Sequence, residues 1–423
     1  MSGQPAVTGR RTVDVLVVGA GPAGLAAATE LAATGAGTVE VVDREQEAGG
    51  IPRHCHHGGF GLRDLRRPMS GPAYARHRVR EAAAAGAVLR TGVSVTGWAG
   101  PLTVETTSPA GLERLEARAV VLATGARERP RSARLVPGSR PSGVYTTGEL
   151  QQAVHLYGQR VGERAVIVGA GPVARAAVGT LRRAGVRAVA LVTEEPGVPV
   201  LGRRPSAGRS GAWFTSGALV PVLTGTTVTE LLGRGLLTGV ALRRHDGRTT
   251  VVACDTVVFS GDWIPENELA RSAGAGLDAG TRGPAVDAAF RTDRPGVFAV
   301  GNVLHGVEPA ATAALEGRRA AGHVRDFLVH GRWPVARVPV VAGAALRWAA
   351  PNLIGPADTG ARMLLRPSER LVRPVVDVVQ DGRLLHRGRL VRAAGPERSL
   401  TVAARWADRV DGAGGPVIVS AAH

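Results

Sequence analysis

Two copies of one glycine signature, 150 residues apart, constrain this chain more than any other feature. The first runs Gly19-Ala20-Gly21-Pro22-Ala23-Gly24, directly after the apolar run Val15–Val18; the second runs Gly169-Ala170-Gly171-Pro172-Val173-Ala174, directly after Ala165–Val168. Each sits where a buried strand turns into a helix. The first glycine makes the tight turn, the second lets backbone N–H groups approach a pyrophosphate, and a small third residue lets helix and strand pack closely. Two such turns predict two dinucleotide-binding units.

Pattern reading extends both units. An alanine-rich helix to about Ala33 and a strand from Thr38 to Asp43 complete a β-α-β unit. Asp43 lies 19 positions after Gly24, close to the offset of roughly 20 at which a carboxylate accepts from a ribose diol. Further on come a His- and Gly-rich loop, a helix over 73–85, and alternating segments ending at Ala123-Thr124-Gly125. The second unit is expected to have a helix over 173–183, a strand near 189–192 and a return strand over 250–259. A short buried strand then ends at Gly301-Asn302, followed by a helix to about Leu328. Beyond Pro339, alternating runs around the turn pair Asp381-Gly382 predict a β-hairpin. The expected architecture is α/β: two Rossmann-like three-layer domains, the second inserted in the first, with a small all-β domain at the end. The expected boundaries are 1–150 with 285–335, 151–284, and 340–423.

Composition removes several alternatives. The chain has 423 residues with 44% apolar content, ample for more than one core. Its formal charge of +17 comes entirely from arginine, since there is no lysine. Scattered arginines with only 4% aromatic residues do not make a nucleic-acid platform. No run of 18 apolar residues predicts an integral membrane span. Arg10-Arg11 resembles a twin-arginine signal, but the apolar run after it is broken by Asp14 and reads as a first strand. Cys55 and Cys254 are too few for a disulfide scaffold or a thiolate-held cluster and suit a reducing cytoplasm. His54, Cys55, His56 and His57 are adjacent in sequence and cannot all converge on one metal ion. Cys55 between two histidines is a candidate for an activated thiolate, with packing under a cofactor as the plainer role; Cys55 and His54 are the weak catalytic candidates.

The ordered set Gly19, Gly21, Pro22, Ala23, Gly24, Asp43, Arg44, Gly49-Gly50, Ala123-Thr124-Gly125, Gly169 and Gly301-Asn302 resembles the pyridine nucleotide-disulfide oxidoreductase family. The resemblance implies FAD at the first turn, Gly301 and Asn302 included, and NAD(P) at the second, with Gly169, Gly171, Ala174 and Glu194 as its binding residues. Three segments, Gly50–Cys55, Gly125–Arg131 and Ile264–Leu269, are similar to a subgroup. That subgroup contains the larger subunits of opine and hydroxyproline dehydrogenases and the oxidoreductases that accompany anaerobic-type glycerol-3-phosphate dehydrogenases. It implies electron transfer beside a second flavoprotein subunit that oxidises the organic substrate. A non-catalytic flavin-binding scaffold is the alternative from another class. Four departures stand out. Asn302 replaces the family's usual aspartate. Thr193 falls where the second unit's acid is expected, with Glu194 next. The loop after Gly49-Gly50 holds one cysteine rather than two, which predicts no dithiol relay. No cysteine follows Cys254, so the terminal domain cannot be a cluster-binding module and is instead a candidate docking surface or a structural extension.

Overall fold

A computed structural model describes residues 9–195, 211–215, 218–306, 308–334 and 337–422. The chain forms two compact units: Met1–Arg53, Gly59–Ala126 and Pro265–His423 make the first, His54–Gly58 and Arg127–Ile264 the second.

The first unit is built on β1 (Gly9–Val18), α1 (Pro22–Ala33), β2 (Val39–Asp43), α2 (Gly71–Ala84), β3 (Val88–Thr91), β4 (Ser94–Gly100), β5 (Thr103–Ser108) and β6 (Gly111–Leu122). Its sheet runs β3-β2-β1-β6-β5-β4, with Val297–Ala299 also pairing to β6. The pairs β2–β3, β1–β2, β1–β6 and β6 with Val297–Ala299 are parallel; β4–β5 and β5–β6 are antiparallel. Val15, Val17, Val41 and Val121 pack on one side with α1 and the long helix Ala310–His330. Leu16, Val18, Val42, Val120 and Leu122 fill the other side. A strand buried on both faces needs such an unbroken apolar run. The two helices meet at Gly317, where a Cβ would strike the Ala23 carbonyl oxygen, so only glycine permits this approach.

The end of the chain folds as two packed sheets, Leu353–Ile354, Val338–Ala342, Val417–Ala422, Val375–Gln380 and Arg383–Arg389 in one, and Leu346–Ala350, Arg362–Pro367 and Leu400–Ala403 in the other. Their inner residues, among them Val376, Val378, Leu365 and Val402, share one core. Asp381 and Gly382 both have positive φ (49° and 77°), the geometry a two-residue hairpin turn requires.

The second unit repeats the plan. Its main sheet has the order Gly211–Thr215, Ala218–Leu223, Arg187–Val192, Arg164–Val168, Thr256–Phe259, Val144–Thr146, and all pairs but the first are parallel. Because Val144–Thr146 is an edge of this sheet, the unit begins upstream of residue 151. The expected return strand over 250–259 is two strands in two sheets: Thr249–Ala253 joins a three-stranded sheet and Thr256–Phe259 joins the main one. Asp255 causes the break, its carboxylate accepting from the Glu163 and Arg164 N–H groups (2.9–3.0 Å) where a continuous strand would run on. The helix Thr147–His155 opens on a capping box of Thr146 and Glu149. At its other end His155 stacks on His56, ring centres 4.1 Å apart and planes 3° from parallel.

Two consequences are measurable. Alanine is ordinarily favoured over glycine inside a helix by ~1 kcal/mol, but overpacking against backbone costs about 1–3 kcal/mol. Gly317→Ala therefore lowers stability by about 2 kcal/mol in urea unfolding instead of raising it. Burial, with His56 and Arg183, pulls the His155 pKa from 6.5 down to about 4. The unfolded chain then takes up this proton first, so stability falls as pH drops from about 6.5 toward 4. Thermal midpoints across that range fall less steeply for His155→Gln than for the native protein; equal slopes would remove His155 as the cause.

Candidate functional site

The first glycine turn is a backbone knot. Gly19, at φ +108°, donates its N–H to the Val42 carbonyl (2.8 Å), and Ala123 donates to Val18 (2.8 Å), so β2 and β6 flank the end of β1. A Cβ at Gly19 would strike the Ala123 carbonyl, and one at Gly24 would strike the Gly19 carbonyl. Gly49 donates to the Ala20 carbonyl (2.8 Å), and a Cβ at Gly50 would stand 2.8 Å from the Gly21 Cα. Gly301, at φ +77°, closes on the same helix, where its Cβ would lie 2.6 Å from that of Ala23. Gly19, Gly24, Gly49, Gly50, Ala123 and Gly301 thus converge on the start of α1.

Gly21 differs from these neighbours. It precedes α1 with extended backbone (φ −81°), and a Cβ built on it meets nothing within 4 Å. Pro22 fills the first helical position and no side chain caps the helix, so the positive end of the helix dipole has no side-chain partner here. This is the construction of an anion site.

Around it, Asp43 accepts from the Ala20 N–H at 2.6 Å through Oδ2 and from the Glu45 N–H at 2.9 Å through Oδ1. The carboxylate that the spacing assigns to a ribose therefore also braces the glycine turn. Thr124 Oγ1 donates to the Glu266 carbonyl (2.7 Å), Glu266 N–H donates to Gly125, and Arg44 reaches the Glu266 carboxylate at 3.9 Å. Asn302 uses its amide on Glu308 backbone, Nδ2 donating to the carbonyl (3.2 Å) and Oδ1 accepting from the N–H (2.9 Å). Each amide atom keeps one further hydrogen-bonding position.

The second turn has the same backbone with different chemistry. Gly169 (φ +122°) donates to Val192, Gly171 precedes the helix Pro172–Arg183 in extended conformation, and Ala174 is buried beneath it. Where Asp43 stands in the first unit, buried Thr193 stands here, its hydroxyl accepting from the Glu195 N–H (3.2 Å), and Glu194 is exposed.

Cys55 is buried, and its thiol pKa is shifted upward, the opposite of the lowering that would activate it. Burial and the Glu128 carboxylate push it up to about 12, and its Sγ lies 3.3 Å from the Gln151 Oε1 it donates to. His54 is buried beside it in sequence. Glu128 escaped the sequence reading. Burial raises its pKa even though the Gly148 and Gly261 N–H groups (2.8 and 3.0 Å) bind it. Nothing in the run Arg127-Glu128-Arg129 marks a buried acid. Among the described residues no three metal-ligating side chains gather at one point, and no helix is long and apolar enough to cross a membrane.

The chain matches the family described as pyridine nucleotide-disulphide oxidoreductase over residues 13–317. It is 29% identical over 336 residues to a subunit of opine oxidase from Rhizobium meliloti, covering 74% of this chain but only 62% of that protein. It is 27% identical over 358 residues to the glutamate synthase [NADPH] small chain of Mycobacterium tuberculosis (strain CDC 1551 / Oshkosh), covering 74% and 67% of the two chains. Among solved structures, thioredoxin reductase of T. acidophilum superposes with a TM-score of 0.60 at 25% identity, over 75% of this chain and 99% of the other. FAD is the family's cofactor, and the open, uncapped turn at Gly21 fits its diphosphate. The chain therefore belongs to the pyridine nucleotide-disulphide oxidoreductase family.

Proposed function

We propose that the first glycine turn holds the FAD diphosphate, and that the chain passes electrons between that flavin and a nicotinamide nucleotide or a partner dehydrogenase without a redox disulfide. The observation that carries this reading is the contrast at the start of α1, where a Cβ at Gly19, Gly24, Gly50 or Gly301 would meet backbone or side-chain atoms and one at Gly21 meets nothing within 4 Å. In the proposed complex the N–H groups of Ala23 and Gly24 bind the diphosphate. Asp43 accepts from the adenosine ribose, giving up or sharing its bond to Ala20. Arg44, Gly49 and Gly50 cover the adenosine side, and Thr124, Gly125, Gly301 and Asn302 line the path toward the flavin ring. Bound FAD supplies two-electron hydride chemistry, and the protein supplies orientation and electrostatics. No side chain is required as an acid or base in this scheme. Cys55, held neutral by burial, packs and does not react.

Gly169, Gly171, Ala174 and Glu194 are proposed to hold the nicotinamide nucleotide. The neutral Thr193 favours a second reading, in which this site is vestigial and electrons come from a partner. The opine oxidase relatives are named as subunits; on that analogy the partner is a second flavoprotein oxidising an opine-like amino acid, or glycerol 3-phosphate in the related group. Two buried thiols suit a cytoplasmic enzyme.

Anaerobic titration separates these readings. Bleaching of the bound flavin by NADH or NADPH alone supports the nucleotide route. Bleaching only with a copurified partner and its substrate supports the partner route. A flavin that bleaches under neither condition sinks both and leaves a scaffold.

A further inference from the structure

Gly301, Asn302, His305 and Glu308 sit inside a closed circuit of buried contacts that includes Trp348 and Arg366 of the terminal β-sheets. Gly301 donates its N–H to Glu316 Oε2 at 3.0 Å. Glu316 Oε1 lies 3.0 Å from His305 Nε2. The His305 ring stacks on Trp348, centres 5.1 Å apart and planes 13° from parallel. Arg366 lies over Trp348, its Cζ 5.2 Å from the ring centre, and donates to Glu308 Oε1 at 2.5 Å and to the Pro396 carbonyl at 3.1 Å. Ser399 donates to the same Glu308 oxygen. Glu308 backbone then holds both ends of the Asn302 amide, which closes the circuit. His305, Glu308, Glu316, Trp348 and Arg366 are each less than a tenth exposed.

Burying two carboxylates, a guanidinium and an imidazole beside one another costs several kcal/mol of desolvation per ion, on the order of what a whole domain can spare. A terminal domain with its own apolar core does not need such a set to fold. What the set does is fix the one turn that carries Gly301 and Asn302. Burial pulls the His305 pKa down, but Glu316, with Glu308, outweighs it and the net shift is upward.

We propose that the terminal β-domain is a working part of the flavin site: Arg366 and Trp348 are positioning residues that set Asn302 and the Gly301 turn against the bound cofactor. This rests on the reading that FAD occupies the first glycine turn. It assigns the domain a role inside its own chain, distinct from docking a partner. Arg366 suits the task because one planar guanidinium binds a carboxylate and a carbonyl while stacking on an indole, which a lysine cannot do.

The test measures FAD affinity and the midpoint potential of bound flavin in the full chain. Arg366→Met should weaken FAD binding about tenfold or more and move the potential. Arg366→Lys should recover part of both. Arg387→Ala, which removes an exposed ion pair with Asp377 in the hairpin of the same domain, should change neither. Should Arg366→Met fail to fold, the double variant Arg366→Met with Glu308→Met leaves no lone buried charge, and it should keep apoprotein stability while still losing affinity. Native affinity and potential in the folded single or double variant would overturn the proposal and leave the FAD reading intact. Failure of the native protein to bind FAD would instead defeat the reading beneath it.

Discussion

The first unit is arranged around the close approach of backbone to backbone where β1 turns into α1. Four chain segments, ending at Val18, Val42, Ala123 and Gly301, meet there at distances that exclude a Cβ at most of the contact points. The same exclusion continues along α1 to Gly317, where a second helix lies against it. The consequence is an α1 whose start is rigidly held from behind and left bare in front. A bare helix start with its N–H groups aligned is attractive to an anion, and rigidity removes the reorganisation that binding would otherwise require.

The two units show how one backbone plan is used with different electrostatics. In the first, Asp43 puts a full negative charge next to the turn and tethers it. In the second, Thr193 offers only a hydroxyl, already engaged with the Glu195 N–H. The contrast concerns charge and not geometry, since both helices begin with an extended glycine followed by proline. It is the physical ground for proposing that the second turn binds a nucleotide less tightly than the first.

Local signals were legible in the sequence and distant ones were not. The strand, turn and helix around Gly19, the hairpin at Asp381-Gly382 and the helix after Pro172 each follow from neighbours within a few positions. Reading 250–259 as one strand failed because Asp255 bonds backbone some 91 positions away. Cys55 read as a thiolate candidate because sequence shows His54 and His56 but not burial beside Glu128. The Arg366 and Glu308 pair joins residues 58 apart, and no periodicity announces it. The family motifs reach only to residue 317, so the terminal sheets came with no functional expectation beyond a docking surface.

Crowding Gly21 shows whether a diphosphate sits on the first turn. Its φ of −81° and empty surroundings accept a side chain without strain, so Gly21→Leu leaves the protein itself folded and stable. With the diphosphate on this turn, the variant purifies colourless and stays so in excess FAD, with native circular dichroism, while Gly171→Leu keeps its flavin. A folded Gly21→Leu variant carrying stoichiometric FAD would contradict that placement.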